Sequence, residues 1–187
     1  MSRPTEAGSG EWTYSEYARL PDDGNRYEVL DGEVLVTPAP TPHHQKVILR
    51  LAMHLFGSVE ERGHGWVLQD VDLLFVTGQF LRPDLVVVPR EARSGITDRG
   101  VEAPPALVVE VLSPSSQTID RTKKPRRYLD FGVPAYWVVD PGEGAAWVWD
   151  ASTGPETPRR EVEALRWTFP EGGEPLELSV AELVAPL

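Results

Sequence analysis

Hydrophobic positions along this chain follow two periodicities. Between Thr41 and about Arg62, Ile48, Leu51, Leu55 and Val59 recur at three- and four-residue intervals, which draws an apolar stripe along one side of a helix. Thr41-Pro42 opens that helix with a cap residue and a proline at the first helical position, and Gly63-His64-Gly65 closes it. Shorter runs rich in β-branched and aromatic residues read as strands: Trp66 to Val76, Asp84 to Val88, Ala106 to Leu112, and Tyr136 to Val139, the last ending at Asp140-Pro141. The polar stretch from Arg90 to Pro104 is expected to be a loop.

The flanking segments complete the pattern. Residues 1–10 are rich in Gly, Ser, Pro and Glu without periodicity and predict a flexible tail. Thr13 and Glu16 fit a capping box, with Tyr14, Tyr17 and Leu20 at helical spacing. Arg26-Tyr27-Glu28-Val29-Leu30 and Val34-Leu35-Val36 flank Asp31-Gly32, the signal of a type I′ hairpin. Gln117 to about Phe131 reads as helical, although Pro125 in its middle predicts a kink or a restart. Trp147-Val148-Trp149 and Val162 to Phe169 add antiparallel strands, and Ser179 begins a short last helix. This order predicts an α/β fold over residues 11–187, a mixed central β-sheet flanked by helices with an N-terminal β-hairpin extension, in one domain.

Composition narrows the function classes. A hydrophobic fraction of 41% and six tryptophans fit a packed globule and not a disordered chain. The absence of cysteine excludes disulfides, thiolate metal sites and thiol nucleophiles. No apolar run approaches the ~20 residues that span a bilayer, and Met1-Ser2-Arg3-Pro4 lacks a signal-peptide pattern, so a cytoplasmic protein without a membrane partner is expected. The net charge of −11 opposes broad electrostatic binding of nucleic acid. One basic strip runs against it: Arg121, Lys123, Lys124, Arg126 and Arg127.

The candidate chemistry lies beside that strip. Asp84 opens one apolar strand and Glu110 lies inside another, and an ionised carboxylate there is costly unless something pairs with it. Two such carboxylates, with the backbone carbonyl of Val111, offer three hard oxygen ligands, a set that suits Mg²⁺ or Mn²⁺. Asp120, Lys124 and Tyr128 stand at i, i+4 and i+8 on one helical face, so Lys124 is expected to face the carboxylates, whereas Lys123 is rotated by about 100°. Each residue also has a simpler reading. Asp84 would serve as a strand-end turn residue, Lys124 as part of a solvated basic run, and Glu28 as an ordinary outward-facing strand residue. His44 would be a capping or core histidine. The sharper reading adds Glu28 and His44 to the site. His43, His54 and His64 have no ligand spacing.

These residues resemble a known group. Pro83-Asp84, Glu110 in its apolar strand and a downstream lysine are similar to the PD-(D/E)XK nuclease superfamily, and in particular to its branch of small bacterial proteins described as restriction endonucleases. The likeness runs from Arg26-Tyr27-Glu28-Val29-Leu30-Asp31-Gly32-Glu33 through Val109-Glu110-Val111-Leu112-Ser113-Pro114-Ser115. It continues through Asp120, Lys124 and Tyr128 to Gly132-Val133-Pro134-Ala135-Tyr136-Trp137-Val138-Val139-Asp140-Pro141. The resemblance implies a restriction-endonuclease-like fold and a divalent-metal-dependent endonuclease acting on DNA. Asp84 and Glu110 then bind the metal, and a lysine assists phosphodiester hydrolysis. The lysine usual two residues after the glutamate is Leu112 here, and Lys124 takes its place. The rival from another class is a non-enzymatic binding or regulatory protein that keeps the fold. Duplex cleavage needs two sites or one used twice, so a homodimer or higher homo-oligomer is expected, with Tyr27, Trp147 and Trp149 as candidate interface surface.

Overall fold

The computed structural model describes residues 12–113, 116–150, 153–170 and 172–187. The tail expected over residues 1–10 lies outside them, as do Pro114 and Ser115 of the break that follows Glu110. Thr13 and Glu16 exchange the reciprocal bonds of a capping box to start α1 (Tyr14–Tyr17). Strands β1 (Arg26–Leu30) and β2 (Glu33–Thr37) follow, joined at Asp31 and Gly32, whose φ values of 54° and 80° are those a type I′ turn demands. Helix α2 (Pro42–Leu55) is capped by the Thr41 hydroxyl and runs on through a π-helical turn, Phe56–Glu60.

The next segment departs from expectation. Trp66 to Val76 is not one strand: β3 (Gly65–Gln69) ends at Asp70, whose positive φ of 52° turns the chain away, and β4 (Leu73–Leu74) begins a different sheet. After β5 (Phe80–Leu81) and β6 (Leu85–Pro89), the stretch expected as loop holds a 3-10 turn, Arg90–Gly95, and a miniature hairpin of β7 (Ile96–Thr97) and β8 (Gly100–Val101). Strand β9 (Leu107–Val111) leads to α3 (Gln117–Thr122) and α4 (Lys124–Asp130), two helices that meet at Lys123 because Pro125 cannot continue the first. Strands β10 (Ala135–Asp140) and β11 (Ala145–Asp150) form a hairpin. β12 (Arg159–Glu161) edges the sheet of β11, and the strand expected over Val162 to Phe169 is β13 (Ala164–Trp167), which pairs antiparallel with β14 (Leu176–Ser179) before α5 (Val180–Leu183).

The central sheet has the order β12-β11-β10-β9-β6-β3, with β9 and β10 parallel and every other pair antiparallel. The N-terminal hairpin is more than an extension. Through the β1–β5 pair it founds a second six-stranded sheet, β2-β1-β5-β4-β8-β7. The two-residue strands of that sheet are too short to display any period, which is why the sequence pattern misses them.

Strand alternation divides the core into two layers. Leu85, Val87, Val109, Val111, Trp137 and Val139 face α2, with Leu165, Leu178 and Leu183 behind them. Val86, Val88, Val108, Tyr136 and Val138 face the other way, against Tyr128 of α4 and Leu30, Leu73 and Val101 of the second sheet. Trp149 belongs to this second layer at 1% exposure, so it cannot serve as the interface surface expected of it. No helix is long and apolar enough to cross a membrane among the described residues.

Candidate active site

The register of β6 and β9 explains how the two acidic residues meet. Leu85 opposes Val109 and Val86 opposes Val108. One further step brings Asp84 opposite Glu110, both on the layer that faces α4 and the second sheet. The carboxylates take over where the backbone ladder stops. Asp84 Oδ2 accepts the Val111 N–H at 2.8 Å, and Glu110 Oε2 lies 3.4 Å from the Asp84 nitrogen. Both residues are buried.

Different partners divide the roles of the pair. Asp84 Oδ1 accepts from Arg26 Nη1 at 2.9 Å, and His44 Nε2 stands 3.3 Å from Oδ2. Burial alone would raise its pKa, but the His44 contact and the Arg26 guanidinium outweigh burial and hold the carboxyl below the ordinary aspartate value. Glu110 goes the other way. Burial pushes it up to about 8; Lys124 opposes that shift, whereas the charges of Asp120, Asp84 and Glu28 add to it. Its Oε1 accepts from Lys124 Nζ at 2.8 Å and from the Tyr128 hydroxyl at 3.0 Å.

Lys124 sits at the centre of a buried anionic cage. Its Nζ is 2.9 Å from Glu28 Oε1, 3.1 Å from Glu28 Oε2 and 3.0 Å from Asp120 Oδ1, in addition to Glu110. Burial would lower its pKa, but Asp120, Glu110 and Glu28 together raise it well above that of an ordinary lysine. The Asp120 contact is an ion pair, and Asp120 Oδ1 makes no hydrogen bond among the described residues. The helix restart at Pro125 therefore preserves the i, i+4 relation of Asp120 and Lys124. Lys123 points elsewhere, to Glu33 at 3.2 Å on the exposed side.

Glu28 reaches the cage from β1 and also accepts the Arg82 N–H at 2.9 Å. His44 arrives from the first turn of α2, on the opposite side of the central sheet, and its Nε2 lies 2.8 Å from the Val111 carbonyl. Its Nδ1 is buried without a hydrogen-bond partner among the described residues. The sheet edge is thus where both layers converge: β1 and α4 from one side, α2 from the other. Arg26 is a site residue that the sequence motifs do not mark, although its place two residues before Glu28 on a strand puts both side chains on one face. The bond of Tyr128 to Glu110 is likewise unmarked in the sequence, which shows only its helical spacing. A cavity of about 920 Å³ opens onto Arg26, Glu28, His44, Asp84, Glu110 and Lys124.

Donor chemistry at this edge fits a hard divalent cation. No three Asp, Glu or His side chains are grouped as a metal site among the described residues. Present instead are two carboxylates and the Val111 carbonyl, all oxygen donors. Among the described residues, Glu110 Oε2 has only its long contact with the Asp84 nitrogen, and it retains lone pairs. The Val111 carbonyl is engaged by His44, so that bond would have to yield or be shared.

Burial of Glu110 has a consequence for stability. Between its ordinary value of 4.5 and about 8, the folded protein holds a proton that the unfolded chain has released. Stability of the metal-free protein is therefore expected to fall as pH rises through this window, by an order of a few kcal/mol, and to level off above it. Urea unfolding at a series of pH values measures the slope. Glu110→Gln should flatten it, and an unchanged slope in that variant would assign the effect to another group.

The same fold and sequence pattern occur elsewhere. Residues 14–181 match the model of the Uma2 family, described as "Putative restriction endonuclease". Among solved structures, the chain is similar to "a putative nuclease belonging to DUF820" from Anabaena variabilis ATCC 29413. The TM-score is 0.76 at 20% identity, over 92% of this chain and 97% of that one, a likeness of fold. None of the curated proteins matches the chain. The family match spans nearly every described element, from α1 to the start of α5, and takes in the whole carboxylate–lysine cage: this chain belongs to the Uma2 family and has a restriction-endonuclease-like fold.

Proposed function

We propose that this protein is a divalent-metal-dependent endonuclease that hydrolyses phosphodiester bonds in DNA, with Asp84, Glu110 and Lys124 as its catalytic centre. The carrying observation is that residues 14–40 positions apart in sequence converge within hydrogen-bond distance at one sheet edge, beside a cavity of about 920 Å³. Asp84, Glu110 and the Val111 carbonyl would hold Mg²⁺ or Mn²⁺. When bound, such an ion stabilises charge on a phosphate oxygen and makes water a better nucleophile. The chain's own groups do the rest. Arg26 and His44 fix the rotamer of Asp84 and keep it ionised. Lys124, permanently charged and held by Glu28 and Asp120, presents fixed positive charge where negative charge grows on the phosphoryl group. Its position is set before substrate arrives, so little reorganisation accompanies the reaction.

A second reading has an observation of its own. Lys124 is only 3% exposed and already shared among three carboxylates, as a purely structural ion cage would be. In that reading the protein is a non-enzymatic binding or regulatory protein on a nuclease fold. A plasmid-nicking assay separates the two. The enzyme reading expects cleavage with Mg²⁺ or Mn²⁺, none with EDTA, and loss in Asp84→Asn, which preserves shape and removes charge. Cleavage that persists in Asp84→Asn, or metal binding without any cleavage of DNA, would overturn the enzyme reading. The same proposal carries a cytoplasmic location, a single domain over residues 11–187, and a symmetric homo-oligomer that places two sites on one duplex.

A further inference from the structure

Helix α2 and its π-helical extension bury one stripe against the central sheet, and their opposite side carries a second stripe. Lys46, Leu49, Met53, Phe56 and Glu60 succeed one another at intervals of three, four, three and four residues. From Lys46 to Phe56 that is the heptad spacing of a seam between two helices, and the π-helical turn carries Glu60 at its end. Leu49, Met53 and Phe56 are 46%, 67% and 46% exposed, although each is a large apolar side chain. The ends of the stripe are oppositely charged. Lys46 makes no ion pair among the described residues. Glu60 uses Oε2 to accept the Val67 N–H at 3.0 Å, leaving its other oxygen for a cation. Arg62, two residues on from Glu60, is taken by Glu174 at 2.7 Å.

We propose that this stripe is the surface on which α2 pairs with α2 of a second copy of the chain, antiparallel about a two-fold axis at Met53. The symmetry of the charges selects that partner. Lys46 and Glu60 lie seven residues to either side of Met53, and Leu49 and Phe56 lie four and three residues away. An antiparallel pair therefore sets Lys46 of each copy against Glu60 of the other, twice, with Leu49 against Phe56 and Met53 against its own equivalent. A parallel pair would set lysine on lysine and glutamate on glutamate, which like-charge repulsion disfavours. The contact is isologous and closes on itself, so it yields a dimer and not a filament. The seam is about 21 Å long. A specific, stable interface buries roughly 1,200–2,000 Å² in total, and a four-turn seam alone supplies the lower part of that, so association in the micromolar range is expected.

This inference rests on the symmetric assembly proposed above and is independent of the nuclease reading. Because the chain has no cysteine, Met53→Cys introduces a single thiol whose only possible disulfide is with a second copy. Mild oxidation should convert Met53→Cys to a covalent dimer, and Gln45→Cys, exposed but about 12 Å along the helix from the axis, should remain unlinked. In sedimentation equilibrium the wild type should dimerise in the micromolar range, and Met53→Lys should weaken association by at least about 100-fold by facing two charges on the axis. Lys46→Glu and Glu60→Lys should each weaken the homodimer, and mixing the two should restore a heterodimer. A wild type that stays monomeric throughout would overturn both this surface and the symmetric assembly. A wild-type dimer that survives Met53→Lys, with no disulfide in Met53→Cys, would overturn the surface alone and leave the assembly standing.

Discussion

Lys124→Ala is expected to be the most damaging single substitution at the sheet edge, for stability as well as for turnover. It leaves Glu28, Glu110 and Asp120 buried around an empty cation position. Removing one partner of a buried ion pair costs about 3–5 kcal/mol, a large share of the ~5–15 kcal/mol that holds a domain folded. Chemical denaturation at neutral pH should therefore show a midpoint shifted far down. The carboxylates relieve part of the cost by taking up protons, so the deficit should shrink as pH falls. On the catalytic side, loss of a preorganised charge aimed at the transition state costs roughly 10²–10³ in rate. Lys124→Met combined with Glu28→Gln separates the two effects, because it removes one cation and one anion together and keeps bulk. If that double variant regains stability yet cleaves DNA as fast as the wild type, Lys124 is structural only. Lys123→Ala is the control: its exposed pair with Glu33 is worth less than about 1 kcal/mol, and neither stability nor rate should move.

The second large effect concerns metal binding. Glu110 is held protonated up to about pH 8 by burial, so an ion that binds there must displace a proton. Titration calorimetry of Mn²⁺ at pH 7 should give an enthalpy that changes with the ionisation heat of the buffer, corresponding to the release of close to one proton per ion. Well above pH 8 that dependence should vanish and affinity should reach its plateau. Glu110→Gln should abolish the proton release and most of the affinity. Asp84→Asn should lose affinity as well, yet leave the proton release of any residual binding in place, because Asp84 is already ionised at neutral pH and the displaced proton belongs to Glu110. Tight binding in wild type with no proton exchange would place the ion away from Glu110.

The local elements were legible wherever a residue pattern is its own cause. The Thr13 capping box, the Asp31-Gly32 turn, the Thr41 cap and the helix restart at Pro125 all follow from interactions among residues a few positions apart. The pairing of Asp84 with Glu110 was legible for a related reason: strand alternation fixes which side chains share a face, and a carboxylate inside an apolar run demands a partner. Lys124 was selected over Lys123 by helical spacing alone, and the restart at Pro125 left that spacing intact.

What the chain pattern could not carry is the company these residues keep. The break at Asp70 sends one apolar run into two sheets, and no periodicity marks it, because the deciding factor is which backbone each half can pair with. Arg26 reaches Asp84 across 58 positions and Glu28 reaches Lys124 across 96, contacts made only because the second sheet lies over α4. The opposite pKa shifts of Asp84 and Glu110 arise there too. As a sequence, the two are equivalent carboxylates in apolar strands; burial, Arg26 and His44 on one side, and Asp120 and Glu28 on the other, make one an anion and the other an acid. The sequence by itself determined the helices, the turns and the pairing of the two carboxylates, since these depend on covalent neighbours and on period. Only the tertiary structure decided the charge state of each, because electrostatic energy depends on distance through space and on the exclusion of water, neither of which is written along the chain.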